Sequence, residues 1–121
     1  MLKKILTVDD SRTMREMLRH TLSGAGFDVV TAEDGADGIE KLRESQPDVV
    51  ITDINMPVMD GFEFIENVRS SEQYNRVPIL VLTTESAPEK KQRAQSAGAT
   101  GWIVKPFDPE KLTRAVNRVM P

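Results

Sequence analysis

Short apolar runs alternate with amphipathic stretches five times along the chain. The runs are three or four residues long and rich in β-branched side chains, which favours strands over helices. They occupy residues 5–8, 27–30, 49–51, 79–82 and 102–104. The first, third and fourth are almost continuously apolar, as expected of strands covered on both faces of a sheet. Asp28 interrupts the second run, and a polar interruption of this kind is typical of an edge strand.

Helical spacing of apolar residues fills the intervals between these runs. The first helix is predicted from four residues that recur at steps of three and four: Met14, Met17, Leu18 and Leu22. The second and third are predicted from the same spacing, at Ala36, Ile39 and Leu42 and at Phe62, Ile65 and Val68. Asp108 is a predicted N-cap of the last helix. Residues 88–97 form the weakest helical pattern, which predicts a loosely anchored helix.

Strict alternation of strands and helices predicts the fold class. Five strand–helix units in 121 residues indicate an α/β protein with a parallel sheet and helices on both faces. Right-handed crossovers place the carboxyl ends of all the strands at one edge of such a sheet. Ligands bind at that edge in open α/β sheets.

Polar residues that could carry chemistry follow four of the five predicted strands. They are Asp9 and Asp10 after the first, Asp53 after the third, Thr83 after the fourth, and Lys105 after the fifth. In a parallel sheet these side chains converge on one pocket. The sequence therefore predicts a site that combines three carboxylates, a hydroxyl and an ammonium group.

Three carboxylates in one pocket repel one another, at a cost of about 4 kcal/mol for each close pair near an effective dielectric of 20. Protons, Lys105 or a cation must offset this repulsion. An oxygen-only set with few protein ligands suits Mg²⁺, which retains several waters. A carboxylate that attacks phosphorus becomes an acyl phosphate, and the charge on the phosphoryl oxygens then needs a metal, a lysine and a hydroxyl. The predicted pocket contains that set of groups.

Composition excludes several other functions. The formal net charge of −3 disfavours a nucleic-acid partner, which usually requires a basic face. The chain contains no cysteine, which rules out thiol nucleophiles, disulfides and zinc–thiolate centres. Asp9 interrupts the apolar N-terminal stretch, so neither a signal peptide nor a membrane span is expected there. We therefore expect a cytoplasmic protein that folds as one domain over residues 1–121.

The four motifs, taken together, resemble one protein family. They are Val8-Asp9-Asp10-Ser11, the segment 53–61 (DINMPVMDG), Thr83-Thr84 and Lys105-Pro106-Phe107. Asp53 and Thr83 are 30 residues apart, and Thr83 and Lys105 are 22 apart. In these motifs and spacings the chain resembles the receiver domains of response regulators, most of all the single-domain chemotaxis regulators. The resemblance implies one receiver domain over 1–121 without an output domain. It also implies a flavodoxin-like, doubly wound, five-stranded sheet of order 2-1-3-4-5 with five helices.

The resemblance assigns a role to each residue of the pocket. Asp53 is the phosphoryl acceptor, and Lys105 and Thr83 bind the phosphoryl oxygens. Mg²⁺ is held by the side chains of Asp10 and Asp53 and by the backbone carbonyl of Asn55, with Asp9 acting mainly through water.

Further positions are assigned in the same way. Asn55 and Glu85 shape the lifetime of the acyl phosphate, and the Lys105–Pro106 peptide is expected to be cis. Trp102 takes the place of an aromatic residue that changes rotamer on activation. The chemotaxis regulators usually have tyrosine there, so Trp102 is either this switch residue or simply a packed aromatic.

The implied function is a two-component phosphoacceptor switch, not an enzyme acting on external substrates. A sensor histidine kinase donates the phosphoryl group, and the product changes its affinity for a partner, with the flagellar motor switch protein as the expected target. A phosphatase is a further candidate partner. The alternative is a phosphorelay intermediate or phosphate sink. A phosphohydrolase of external esters would need an acid two residues after the nucleophile, where this chain has Asn55.

Overall fold

The computed structural model describes residues 2–121 as five strands that alternate with five helices. The strands are β1 (Lys4–Val8), β2 (Asp28–Ala32), β3 (Val49–Thr52), β4 (Ile79–Thr83) and β5 (Gly101–Val104). The helices are α1 (Arg12–Gly24), α2 (Gly35–Ser45), α3 (Gly61–Ser70), α4 (Pro88–Ala97) and α5 (Pro109–Val119). All neighbouring strands are parallel, in the order β2-β1-β3-β4-β5. The predicted α/β class, strand order and number of helices are confirmed.

Each face of the sheet has its own apolar core because successive side chains of a strand point to opposite faces. Leu6 and Val50 pack on the side of α2 and α3. Ile5 and Val49 pack on the opposite side with α1 and α5. The three strands predicted to be buried on both faces, β1, β3 and β4, are central in the sheet, and the strand containing Asp28 is at an edge.

Side-chain caps define where most of the helices begin. Ser11, Asp34, Asp60 and Asp108 each accept a hydrogen bond from a backbone N–H in the first turn of the helix that follows. The predicted cap Asp108 is confirmed. Helix α4 differs, because its capping residue makes no side-chain hydrogen bond and only Ala94 of the helix is buried. The loose anchoring predicted for this helix is therefore observed.

Two residues predicted to lie on apolar helix faces are exposed instead. Met17 is 49% exposed, because α1 packs through the narrower stripe of Leu18 and Leu22 and leaves Met17 at its margin. Ala36 of α2 is also exposed, whereas Gly38 is buried. A Cβ added to Gly38 would lie 2.8 Å from the Phe64 ring, so α2 turns its glycines to the core in order to approach closely.

Candidate functional site

The polar residues predicted to converge lie together at the carboxyl edge of the sheet. Asp9 and Asp53 follow β1 and β3, and the Asp53 N–H donates to the Val8 carbonyl over 2.9 Å. Thr83 ends β4, and its carbonyl accepts from the Lys105 N–H over 2.8 Å. These backbone bonds continue the strand pairing past the last strand residues, and so they hold each functional side chain at the same edge.

Lys105 joins two of the carboxylates. Its Nζ lies 2.8 Å from Asp9 Oδ2 and 2.9 Å from Asp53 Oδ2, and donates a hydrogen bond to each. Asp9 is 2% exposed and Asp53 is 8% exposed. Because water screens these charges poorly, the three groups form a coupled and partly desolvated cluster.

Burial and pairing have opposite effects on the charges of this cluster. Burial raises the pKa of Asp9, and the hydrogen bonds from Lys105 and the Ser11 N–H reduce this rise without cancelling it. For Lys105, burial alone would lower the pKa, but the hydrogen bonds to Asp9 and Asp53 outweigh it and the pKa is raised. The ammonium group is therefore held in its charged form, where it offsets one negative charge of the carboxylates.

A third carboxylate completes an oxygen-rich cluster. Asp9, Asp10 and Asp53 each present one carboxylate oxygen, and these oxygens lie within 4.8 Å of one another. Asp10 is exposed, whereas Asp9 and Asp53 are buried, so the cluster lies at the protein surface with one carboxylate in solvent. One ammonium cannot balance three carboxylates, and a hard divalent cation with oxygen ligands fits both the excess charge and the donor set. The contribution of the Asn55 carbonyl to such a site stays a prediction.

Three further predicted residues lie around this cluster. Thr83 is fully buried, and its Oγ1 accepts from the Glu85 N–H over 3.3 Å. Asn55 Nδ2 is 3.5 Å from Glu85 Oε2, so the two residues expected to control the lifetime of the phosphoryl group contact each other. The peptide that follows the lysine of the cluster, Lys105–Pro106, is cis, as predicted.

Trp102 lies on β5, away from the carboxylates. It is partly buried against the core and borders a cavity of about 230 Å³ between α4 and β5. A change of its rotamer stays a prediction.

Backbone amides also hold the carboxylates, and nothing in the sequence marks them. The Ile54 N–H donates to Asp53 Oδ1 over 2.7 Å, and the Ser11 N–H donates to Asp9 Oδ1 over 2.9 Å. Every residue except proline carries an N–H, so no residue type marks such a donor. Its direction depends on the backbone conformation alone.

Gly61 approaches the backbone of the phosphoacceptor candidate closely. An added Cβ at this position would lie 2.2 Å from the Asp53 carbonyl oxygen and 2.7 Å from Ile54 Cα. We expect Gly61→Ala to lower the free energy of unfolding by about 3 kcal/mol or more, because backbone atoms cannot move aside as a flexible side chain would. Urea denaturation of both proteins measures this difference.

Gly24→Ala is the matched control for that substitution. Gly24 ends α1, and a Cβ added there meets nothing within 4 Å. The free energy of unfolding of the Gly24→Ala variant should equal that of the wild type or exceed it by up to about 1 kcal/mol, since alanine has a higher helix propensity than glycine. Equal stability of the Gly61→Ala variant and the wild type would show that the close approach is not required.

Among residues 2–121, no helix combines the length and the apolarity that crossing a bilayer requires.

Comparison with known proteins places this geometry in a family. The profile of the family described as "Response regulator receiver domain" matches residues 5–117. Chemotaxis protein CheY1 of Helicobacter pylori is 41% identical over 119 residues, which are 97% of this chain and 96% of the relative. The structure of chemotaxis protein CheY4 of Vibrio cholerae superposes with a TM-score of 0.94 at 52% identity, over 99% of this chain and 100% of that one.

A more distant structure is similar and contains a metal. It is the receiver domain of a sensor histidine kinase from Pseudomonas aeruginosa, described with a magnesium ion coordinated in its active site cleft. Its TM-score is 0.90 at 26% identity, with 98% of this chain and 97% of that chain covered.

Proposed function

Because the chain belongs to the response regulator receiver domain family, we propose that Asp53 accepts a phosphoryl group, with Mg²⁺ bound beside it, and that this changes the affinity for a partner protein. Within the family, the chain is a CheY-like chemotaxis response regulator. One observation carries the proposal. Lys105 Nζ contacts Asp53 and Asp9 at once, beside the exposed carboxylate of Asp10.

The transfer step needs a nucleophile, a donor and compensation of negative charge. An oxygen of the Asp53 carboxylate forms a bond to phosphorus, and the P–N bond of a phosphohistidine on a sensor kinase breaks. The donor imidazole keeps the electron pair of that bond, and Asp53 becomes an acyl phosphate. Bound Mg²⁺ would supply positive charge to the carboxylates of Asp10 and Asp53 and to the phosphoryl oxygens.

Lys105 and Thr83 connect the new phosphoryl group to the rest of the protein. Lys105 Nζ already lies 2.9 Å from Asp53 Oδ2, so it can follow the charge onto the phosphoryl oxygens. The Thr83 hydroxyl accepts from Glu85, which leaves its own proton available for a phosphoryl oxygen. A movement of Thr83 would carry the loop between β4 and α4 with it.

Helix α4 is suited to respond to that movement. It has one buried residue, Ala94, and no side-chain cap at its N-terminus, so only one fully buried side chain would have to leave its place if the helix shifted. Reversing a 1:99 equilibrium to 99:1 takes roughly 5.5 kcal/mol of differential interaction. A few hydrogen bonds to charged groups, worth about 1.5–3 kcal/mol each, could supply that amount. The surface formed by α4, β5 and α5 would then change its conformation, and with it the affinity for a partner protein.

Phosphotransfer profiling tests the proposal and identifies the partners. Purified sensor histidine kinases carrying labelled phosphohistidine are mixed with the protein, and transfer of the label to Asp53 is followed. Pull-down with and without beryllofluoride, a phosphoryl mimic, then identifies the target. We expect beryllofluoride-dependent capture of a flagellar motor switch protein, together with a kinase and a phosphatase that act on Asp53 in the cytoplasm. Capture of only a histidine phosphotransfer protein would favour the phosphorelay alternative.

Replacing Lys105 with methionine should separate metal binding from switching. The ammonium group does not ligate a metal, so Mg²⁺ should bind at least as tightly once this competing positive charge is removed. The response of Trp102 fluorescence to beryllofluoride should need roughly tenfold to hundredfold more of the mimic, which corresponds to the loss of one charged hydrogen bond. Lys3→Met, which removes an exposed lysine before β1, should behave as the wild type. A wild-type beryllofluoride response in Lys105→Met would contradict the role of Lys105.

A further inference from the structure

The peptide group between Asp53 and Ile54 is held at both of its polar atoms. Its N–H, on Ile54, donates to Asp53 Oδ1 over 2.7 Å. Its carbonyl oxygen, on Asp53, accepts from Thr52 Oγ1 over 2.9 Å. A peptide group is planar, so an interaction that fixes the direction of the carbonyl also fixes the direction of the N–H. The Thr52 hydroxyl and the Asp53 carboxylate are thus connected through one rigid unit.

The surroundings of this peptide make the hydroxyl important. Thr52 is fully buried and Ile54 is 1% exposed, so water has little access to replace the Thr52 hydrogen bond. Gly61 lies against the same carbonyl, and its N–H donates to the Ile54 carbonyl over 2.8 Å. Gly61 therefore limits where the peptide can move, while the Thr52 hydroxyl orients its carbonyl.

We propose that Thr52 is a positioning residue for phosphoryl transfer: its hydroxyl orients the 53–54 peptide, and the N–H of that peptide orients the Asp53 carboxylate. This inference rests on the proposed role of Asp53 as phosphoacceptor. Thr52 itself touches no reacting atom. Attack on phosphorus requires an aligned carboxylate oxygen, and small errors in such alignment reduce rates strongly.

Thr7 provides a matched control on the neighbouring strand. Like Thr52, it is a fully buried threonine of the sheet. Within residues 2–121, however, its Oγ1 has no hydrogen-bond partner. It also faces the opposite side of the sheet, because it lies two residues after Ile5 in β1. Replacing either threonine with valine removes the same hydroxyl from an equally buried site, but only one of the two hydroxyls contacts the peptide of Asp53.

The experiment compares Thr52→Val, Thr52→Ser and Thr7→Val in the full chain. The first readout is the initial rate of Asp53 labelling by acetyl phosphate at saturating Mg²⁺. We expect a fall of about tenfold in Thr52→Val, less than the roughly hundredfold that a 1 Å misplacement can cost. Thr52→Ser should recover most of the rate because serine keeps the hydroxyl, and Thr7→Val should label as the wild type does.

The second readout is the amide proton shift of Ile54 by NMR. The short 2.7 Å bond to a carboxylate should place this proton downfield. It should move upfield in Thr52→Val and return in Thr52→Ser. A general loss of packing would instead change many amides and lower the melting temperature. If Thr52→Val does not fold, Thr52→Ser and Thr52→Ala form the replacement pair, since they differ only by the hydroxyl.

The proposal is overturned if Thr52→Val labels at the wild-type rate, if serine fails to rescue, or if the rate falls while the Ile54 amide stays in place. Each of these results leaves the role of Asp53 intact as long as the wild type is labelled and Asp53→Asn is not. Failure of the wild type to accept the label would instead refute the proposed function itself.

Discussion

Replacing Asp53 with asparagine should remove all labelling by acetyl phosphate or by a kinase phosphohistidine. The amide matches the carboxylate in size, but its oxygen is neutral and a far weaker nucleophile, so no acyl phosphate can form. The loss should not arise from unfolding. The negative charge of Asp53 contributes to the raised pKa of the Asp9 carboxyl, so neutralising Asp53 relieves repulsion inside the cluster.

Labelling with a radioactive donor, followed by intact-mass analysis, measures this result. Asp28→Asn is the matched control, because it makes the same substitution at an exposed position on the edge strand β2. It should label as the wild type does, and hydroxylamine should remove the label as it does from acyl phosphates. Label retained by folded Asp53→Asn would place the acceptor elsewhere and refute the assignment.

Magnesium should stabilise the wild-type protein, and Asp10→Ala should remove this stabilisation. A ligand that binds only the folded state contributes about 2.7 kcal/mol when its free concentration is about one hundred times its Kd. For a domain of this size, that energy corresponds to a rise in melting temperature of roughly 10 °C. In Asp10→Ala the rise should nearly vanish, since one of the three clustered carboxylates is lost. Because Asp10 is exposed, the variant should fold normally without metal.

Thermal melts with and without Mg²⁺ measure this effect, and a titration of Trp102 fluorescence provides a second signal from the single tryptophan in the chain. Asp28→Ala serves as the control because it removes an exposed carboxylate at the first residue of β2, opposite Lys4 and so at the end of the strands away from the cluster. It should keep the full Mg²⁺ response. Equal responses of Asp10→Ala and the wild type would show that the acidic cluster does not bind the ion.

The hydrophobic pattern predicted most of the architecture because burial leaves a local trace. Residues 49–51 and 79–82 are apolar at every position, and both segments are central strands. Asp28 likewise marked an edge. The residues of the site could be predicted for a related reason. In a parallel sheet, the residue that follows a strand must lie at the carboxyl edge, so Asp53 and Lys105 could be placed together before any distance was known.

The errors arose where packing between elements overrides periodicity. Met17 has the helical spacing of a core residue, but α1 contacts the sheet along a narrower stripe and leaves it exposed. Gly38 of α2 is buried in place of the predicted Ala36, because the contact of α2 with Phe64 leaves no room for a Cβ at the glycine. Neither outcome follows from the sequence of one helix, since each depends on how closely another element approaches.

By itself, the sequence determined the order of the strands and helices along the chain, the central and edge character of the strands, and the residue types at the carboxyl edge. These features follow from the local periodicity of apolar residues and from the geometry of parallel sheets. Only the tertiary structure decided the contacts of Lys105 with Asp9 and Asp53, the direction of the Ile54 N–H, and the link from Thr52 to the phosphoacceptor. Those contacts depend on distances of a few ångströms between strand ends and on the orientation of peptide planes. Both are set by the packing of the whole domain.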